Sequence, residues 1–367
     1  MMVDWIRDFM NEASKIEKYR TVETMNHLTR RLGLNLSEVL KLDANENLFI
    51  PLDLQRSLLR EAVEEVDPRR YPQDERIMLQ DELGEYLNVE PEQILIGAGG
   101  DQLIELVFNS FLKRGDEVVS IAPTFSIYEL AARIRGIRYR GVPLKDDFTL
   151  DLERLISYSA RAQVIFLCSP NNPTANQFRL EEVKRIIEEF EGLVVVDEAY
   201  VEFASHSISH LADVYENLIV LRTFSKAFGL AGFRIGYAIS NSELASILNE
   251  SFQMPYPASQ MAILLSLKIL RRIDVVRKAI EEVKAERGSL IRRLNEVGGV
   301  KAFNSDTNFV LASFETESKK LYDALLSRGV LVKMVGNILN LENCLRITVA
   351  PPKMMDRFMD VLKEALK

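Results

Sequence analysis

Three runs, "VIFL" at 164–167, "LVVV" at 193–196 and "LIVL" at 218–221, limit this chain more than any other feature. Each is strand-length and apolar without a polar residue at every second place. A strand with one wet face alternates, so these strands need cover on both faces. From Ile94 to about Ser240 such short runs alternate with helix-length amphipathic segments: "DQLIELVFNSFLKRG", "TFSIYELAARIRG" and "RLEEVKRIIEEFEG". Strand and helix in alternation predict a mostly parallel sheet between two helix layers, a three-layer αβα domain. Further strands are expected at "QILIG", "DEVVSIAP" and "RIGYAIS". Ligands of such sheets bind beyond the carboxyl ends of the strands.

The pattern sets the expected domains. Residues 48–243 form the large α/β domain. Residues 244–367 form a smaller α+β domain, with long helical segments followed by "TNFVLASF", "VLVKMV" and "CLRITVA". Residues 1–47 form an N-terminal helical segment that joins the smaller domain and ends where Asp, Asn and Pro break the periodicity of "KLDANENLFIP".

The chain of 367 residues carries a net charge of -8, which argues against nucleic acid or an anionic membrane as partner. An anion site would have to be local, built from a few cations and backbone amides. Cys168 and Cys344 lie in apolar runs and read as small buried hydrophobes. His27, His206 and His210 form no ligand cluster with them; the latter two read as a solvated pair, and no metal is expected. The charged N-terminus lacks the apolar core of a secretory signal, and "MAILLSLKIL" is too short to span a bilayer. A cytoplasmic location is expected.

Five stretches carry chemistry. "GAGGDQ" at 97–102 joins a strand to a helix, either as a plain turn or as an amide cradle for an anion. It is neither a dinucleotide fingerprint nor a P-loop, for Gln102 replaces the last glycine of the one and Lys-Ser/Thr is missing for the other. "CSPNNPTA" at 168–175 is turn chemistry that also offers the Asn172 side chain at a strand end. "VVVDEAY" delivers Asp197 and Glu198 to the end of a buried strand, where a carboxylate is costly unless it meets a cation or a donor. It either caps a helix or pairs with a protonated ring nitrogen, with Tyr200 near another ring substituent. "TFSKAFGLAGFRIGY" sets Lys226 in an apolar loop, which would lower its pKa and free its amine for imine formation. Thr223, Ser225 and Arg234 around it suit a phosphate. "CLRITVA" places Arg346 in an apolar strand, facing a planar anion or a cross-strand carboxylate.

Together these fit a pyridoxal 5'-phosphate site. The chain resembles fold-type I, class I/II aminotransferases, most closely the histidinol-phosphate aminotransferases. "KLDANENLF", "SPNNPT", "VVVDEAY", "SKAFGLAGFRIGY" and "LRITV" carry the likeness in family order over most of the chain.

The resemblance implies that Lys226 forms the imine with the cofactor and moves the substrate proton. Asp197 would keep the pyridine nitrogen protonated, and Asn172 and Tyr200 would bond the ring oxygen. Phe125 would stack on the ring. Gly99, Gly100 and Asp101 amides, with Thr223, Ser225 and Arg234, would hold the phosphate. Tyr71 would reach the phosphate of a neighbouring subunit, making the unit a homodimer. Arg346, Lys333 and Asn47 would bind substrate, an amino donor and a 2-oxo acid in turn. Lys333 stands where relatives have arginine; Gly100, Gln102, Ala175 and Leu48 are further departures. The leading expectation is transamination between L-histidinol phosphate and 2-oxoglutarate, in histidine biosynthesis. The alternatives are an aromatic or broad-specificity aminotransferase, a phosphothreonine-type decarboxylase, and a non-catalytic cofactor-binding protein.

Overall fold

The computed structural model of the protein describes residues 2–14 and 24–367. The chain begins with α1 (Met2–Ser14), α2 (Met25–Leu32), β1 (Leu40–Leu42), α3 (Leu52–Glu65) and α4 (Gln73–Leu87). Next come β2 (Ile94–Gly97), α5 (Gly100–Phe111), β3 (Glu117–Ala122), α6 (Ile127–Arg135), β4 (Arg138–Pro143) and α7 (Leu152–Ser159). The middle comprises β5 (Val164–Cys168), α8 (Leu180–Glu189), β6 (Leu193–Asp197), β7 (Leu218–Thr223) and β8 (Gly236–Ile239). Three helices follow, α9 (Ser242–Ile247), α10 (Gln260–Leu270) and α11 (Ile273–Asn295). The last part is β9 (Val300–Ala302), β10 (Phe309–Phe314), α12 (Ser318–Ser327), β11 (Val330–Ile338), β12 (Leu341–Thr348) and α13 (Pro352–Ala365). The helices expected across the first forty residues are α1 and α2; residues 1 and 15–23 lie outside the described residues. Leu40–Leu42, inside that expected helical segment, is a strand.

Among the described residues the strands form two sheets. The larger has seven strands in the order β2-β8-β7-β6-β5-β3-β4. β8 runs antiparallel to both neighbours, β2 and β7, and the other pairings are parallel. Its central strands are buried throughout. Successive residues explain the missing alternation. Val194 and Val196 pack into the core shared with α7, α8 and α10, while Leu193 and Val195 pack on the opposite face with α5 and α6. The expected three-layer αβα architecture follows from that double cover.

The second sheet has five strands, β1-β11-β12-β10-β9, with β1 parallel to β11 and the rest antiparallel. The boundary expected at 243/244 does not divide the packing. α9 lies against β2, and α10 against α3 and α4, so both pack on elements of the expected large domain. α10 is apolar nearly all round, a pattern that signals burial without naming the sheet that buries it. The long α11 makes the passage to the second sheet. Its Arg287 donates from Nη1 to the carbonyls of Phe203 (3.2 Å) and Thr307 (2.8 Å), one from each side. No helix of the described residues is long and apolar enough to cross a membrane.

Under the middle of the larger sheet, Phe166 is stacked between Phe108 (5.4 Å between centroids) and Tyr128 (4.9 Å). All three are fully buried. Phe166→Ala is expected to cost about 3–5 kcal/mol, seen as a lower denaturant midpoint; an unchanged midpoint would show that the layer collapses to fill the gap.

Candidate active site

The carboxyl ends of β5, β6 and β7 open on a cavity lined by Asp101, Phe125, Asp197, Tyr200, Thr223, Ser225, Lys226 and Arg234. β6 ends on Asp197, whose backbone is level with Cys168 of β5 and Leu221 of β7. Its side chain is buried. Tyr128 Oη donates to Oδ2 at 2.7 Å, and the Ala199 amide donates to Oδ1 at 3.1 Å. Burial pushes this carboxyl up to about 6, and the two donors limit the rise. The next carboxylate, Glu198, turns away and forms a buried pair with Arg222 at 2.9 Å. The two acids are thus satisfied differently, one by a cation and one by donors.

Lys226 lies in the turn between β7 and β8. Its Nζ donates to the Ala44 carbonyl at 3.1 Å and stands 5.7 Å from the centre of the Tyr200 ring. Burial, reinforced by the Arg346 charge, lowers its pKa to about 8. The loop is held from outside: Gln55 Nε2 donates to the Gly229 carbonyl at 2.9 Å, and Asn47 Nδ2 donates to that of Ala227 at 2.8 Å.

One end of the cavity suits an anion. Gly99 caps α5 with φ +85° and ψ 170°, a conformation that belongs to glycine. A Cβ there would come 3.0 Å from Arg234 Nη2. Arg234 in turn donates to Asp101 Oδ2 at 2.8 Å and to Ser225 Oγ at 3.5 Å. The Thr223 hydroxyl accepts from the Ser225 amide at 3.0 Å. The helix N-terminus, a guanidinium and two hydroxyls therefore converge.

A neighbouring part of the cleft is walled by Asn45, Asn172, Tyr200, Lys226, Lys333 and Arg346. Lys333 and Arg346 are direct cross-strand neighbours on β11 and β12. Arg346 donates from Nη1 to Asn172 Oδ1 (2.7 Å) and from Nη2 to the Asp43 carbonyl (2.5 Å). Its cross-strand neighbours are Lys333 on β11 and Leu311 on β10, and neither is a carboxylate. Burial, and then Arg346, lowers the Lys333 pKa. With its oxygen taken by Arg346, Asn172 has Nδ2 without a protein partner among the described residues.

Most of the expected site residues come together here, from both sheets. Asn47 does not join them in the expected way. Its amide nitrogen bonds Ala227, and its oxygen accepts from the Phe49 amide at 3.0 Å, so it ties its segment to the Lys226 loop rather than facing substrate. Asn45, two residues earlier, reaches the cleft instead. Tyr71 stands apart, 75% exposed and stacked on Tyr256 at 4.6 Å. His206 and His210 sit in a loop and a short 3-10 turn, so they share no helix face. Ala175 adopts φ +69° and is fully buried, a glycine-like turn bearing a methyl group. Its carbonyl accepts from the Asp306 amide at 2.7 Å, bracing the Asn172 turn against the second sheet. Sequence reasoning missed Tyr128 and Asn45. Tyr128 follows Phe125 by one helical turn, and its hydroxyl on a buried face was the available signal.

Replacing Tyr128 by Phe removes a donor to the Asp197 carboxylate. The carboxyl is then expected to titrate higher still, by about one unit, because a bond to the charged form is lost. Infrared titration of the carboxyl stretch in the ligand-free protein reads this; an unchanged midpoint would mean that Tyr128 does not bear on the charge.

Comparison with known proteins agrees with this geometry. A family model described as aminotransferase class I and II matches residues 37–362. A histidinol-phosphate aminotransferase of Caldanaerobacter subterraneus subsp. tengcongensis is 37% identical over 329 residues, covering 89% of this chain and 93% of that protein. The enzyme of that name from Methanocaldococcus jannaschii is 30% identical, with all of both chains covered. Among solved structures, the histidinol-phosphate aminotransferase of Sinorhizobium meliloti in complex with pyridoxal-5'-phosphate superposes with a TM-score of 0.86. Its identity is 27%, over 95% of each chain. The chain belongs to the class I and II aminotransferases, a family dependent on pyridoxal 5'-phosphate.

Proposed function

We propose that this chain transfers the amino group of L-histidinol phosphate to 2-oxoglutarate in a two-stage exchange, a step of histidine biosynthesis. The observation that carries this reading is the cross-strand pair Arg346 and Lys333, in the same cleft as Lys226. One pair of fixed cations can receive the phosphate of the first substrate and the carboxylate of the second. The names of the relatives at 37% and 30% identity support the same substrates.

The residues fit pyridoxal 5'-phosphate. An amine of lowered pKa, an anion cradle whose Gly99 has a backbone favouring glycine, and an unused Asn172 donor match its aldehyde, phosphate and ring oxygen. Lys226 would hold the group covalently, and the Gly100 and Asp101 amides with Thr223, Ser225 and Arg234 would hold its phosphate. Phe125 would cover a ring face. When bound, the cofactor supplies a sink for the electron pair left as the substrate α-proton departs. Asp197 would keep a proton on the ring nitrogen, favouring that charge as it develops. Asn172 Nδ2 and the Tyr200 hydroxyl would donate to the ring oxygen. Lys226 Nζ would accept and return the α-proton, a role that burial and the Arg346 charge favour by lowering its pKa.

The reading includes a homodimer. Tyr71, Met254 and Tyr256 make an exposed apolar group on one side of the chain, suited to a second copy. Tyr71 would then serve the neighbouring phosphate, and sedimentation should give twice the 41.9 kDa chain mass.

In a spectral half-reaction screen, histidinol phosphate should convert the bound cofactor and 2-oxoglutarate should restore it, with phenylalanine and phosphothreonine slower. Carbon dioxide released from phosphothreonine without a keto acid would overturn the reading. Capture of the cofactor by ligand-free protein requires neutral amine, which exists above the pKa of Lys226. The capture rate should therefore rise with pH through a midpoint near 8, and a midpoint above 10 would refute a desolvated amine. Arg346→Lys should lower kcat/KM for both substrates about ten- to hundredfold, because the planar fork is lost; a defect in one half alone would contradict shared use.

A further inference from the structure

Asn45 has no surface role: it is 1% exposed, and its backbone is left-handed at φ +55°. Its polar atoms reach three separate parts of the chain. The amide donates to Thr348 Oγ1 at 3.0 Å, and the carbonyl accepts from Asn308 Nδ2 at 2.9 Å. In the side chain, Oδ1 accepts from Thr348 Oγ1 at 3.4 Å and Nδ2 donates to Tyr200 Oη at 3.0 Å.

These bonds have a direction. Thr348 Oγ1 accepts from the backbone amide and gives its own proton to Oδ1, which leaves Nδ2 to face Tyr200. The tyrosine oxygen is then an acceptor toward Asn45, so its single proton must point elsewhere. Among the described residues that proton has no acceptor, and Tyr200 lines the cavity. Burial raises the Tyr200 pKa, which keeps the hydroxyl a donor at neutral pH.

We propose that Asn45 is a positioning residue that turns the Tyr200 proton into the cavity, where it serves the oxyanion of the bound cofactor. Thr348 and Asn308 belong to the second sheet and its approach, so that sheet aims a donor used on the first. The inference rests on the cofactor reading above.

The test uses the full-length protein, with two substitutions made alone and in a Tyr200→Phe background. Asn45→Gly suits the left-handed backbone and deletes the side chain. Asn45→Asp keeps the shape but offers only acceptors, which draws the Tyr200 proton away from the cavity. Equilibrium binding of pyridoxal 5'-phosphate to ligand-free protein should weaken about tenfold for Asn45→Gly, and further for Asn45→Asp. The pH midpoint of the bound chromophore should rise by about one unit, since a donor to its charged oxygen is lost. In the Tyr200→Phe background neither substitution should add more than about twofold, because the hydroxyl they act through is gone. Asn45→Asp binding as tightly as the parent, or either substitution keeping its full effect without the hydroxyl, overturns the proposal. If Asn45→Gly does not fold, the isosteric Asn45→Asp pair decides alone; if neither folds, Thr348→Val, which removes the hydroxyl that orients the amide, replaces both in the same cycle with the same criterion. A parent protein that takes up no cofactor refutes the cofactor reading instead.

Discussion

Asp197 sits at the carboxyl end of a central strand, and the protein holds its charge with dipoles. Tyr128 and the Ala199 amide each give it one hydrogen bond, while the nearby guanidinium of Arg222 is committed to Glu198. A counter-ion at Asp197 would have neutralised it; donors orient it and leave its charge facing the cavity. The parallel sheet makes this possible, since the end of a buried strand delivers a polar side chain to the edge of the layer, where ligands bind. Phe166, packed under Tyr128, keeps the donor in place.

The second polar theme is an amine made reactive by its surroundings. Lys226 loses water to the cavity walls and feels the Arg346 charge, and both effects favour its neutral form. The same arginine reaches Asn172, so one cation adjusts the amine, orients the Asn172 amide and lines the cleft beside Lys226. Lys333 beside it adds charge without a planar fork. A chain of net charge -8 thus concentrates cations in one cleft, where fixed geometry and low exposure make them effective.

Much of this was legible from the chain alone. The strand runs without polar alternation announced the double-covered sheet, and Asp197, Lys226 and Arg346 stood out as charges in apolar surroundings. Such residues are visible because burying a charge is costly enough to need a reason. The side on which α10 packs was not legible, because a helix apolar all round names no neighbour. Tyr128 and Asn45 were missed because their bonds join residues 69 and 155 positions apart.

Asn45 and Asn47 mark the boundary between the two kinds of information. In "NEN" they are chemically identical and two residues apart. Hydrophobic period and isolated charge are written in neighbouring residues, so the sequence by itself determined the layered sheet, the lysine and the acid at its strand end. Only the tertiary structure decided which asparagine faces Tyr200. A left-handed turn at Asn45 and two groups from a distant sheet orient that amide, and hydrogen-bond direction depends on atoms that only folding brings within reach.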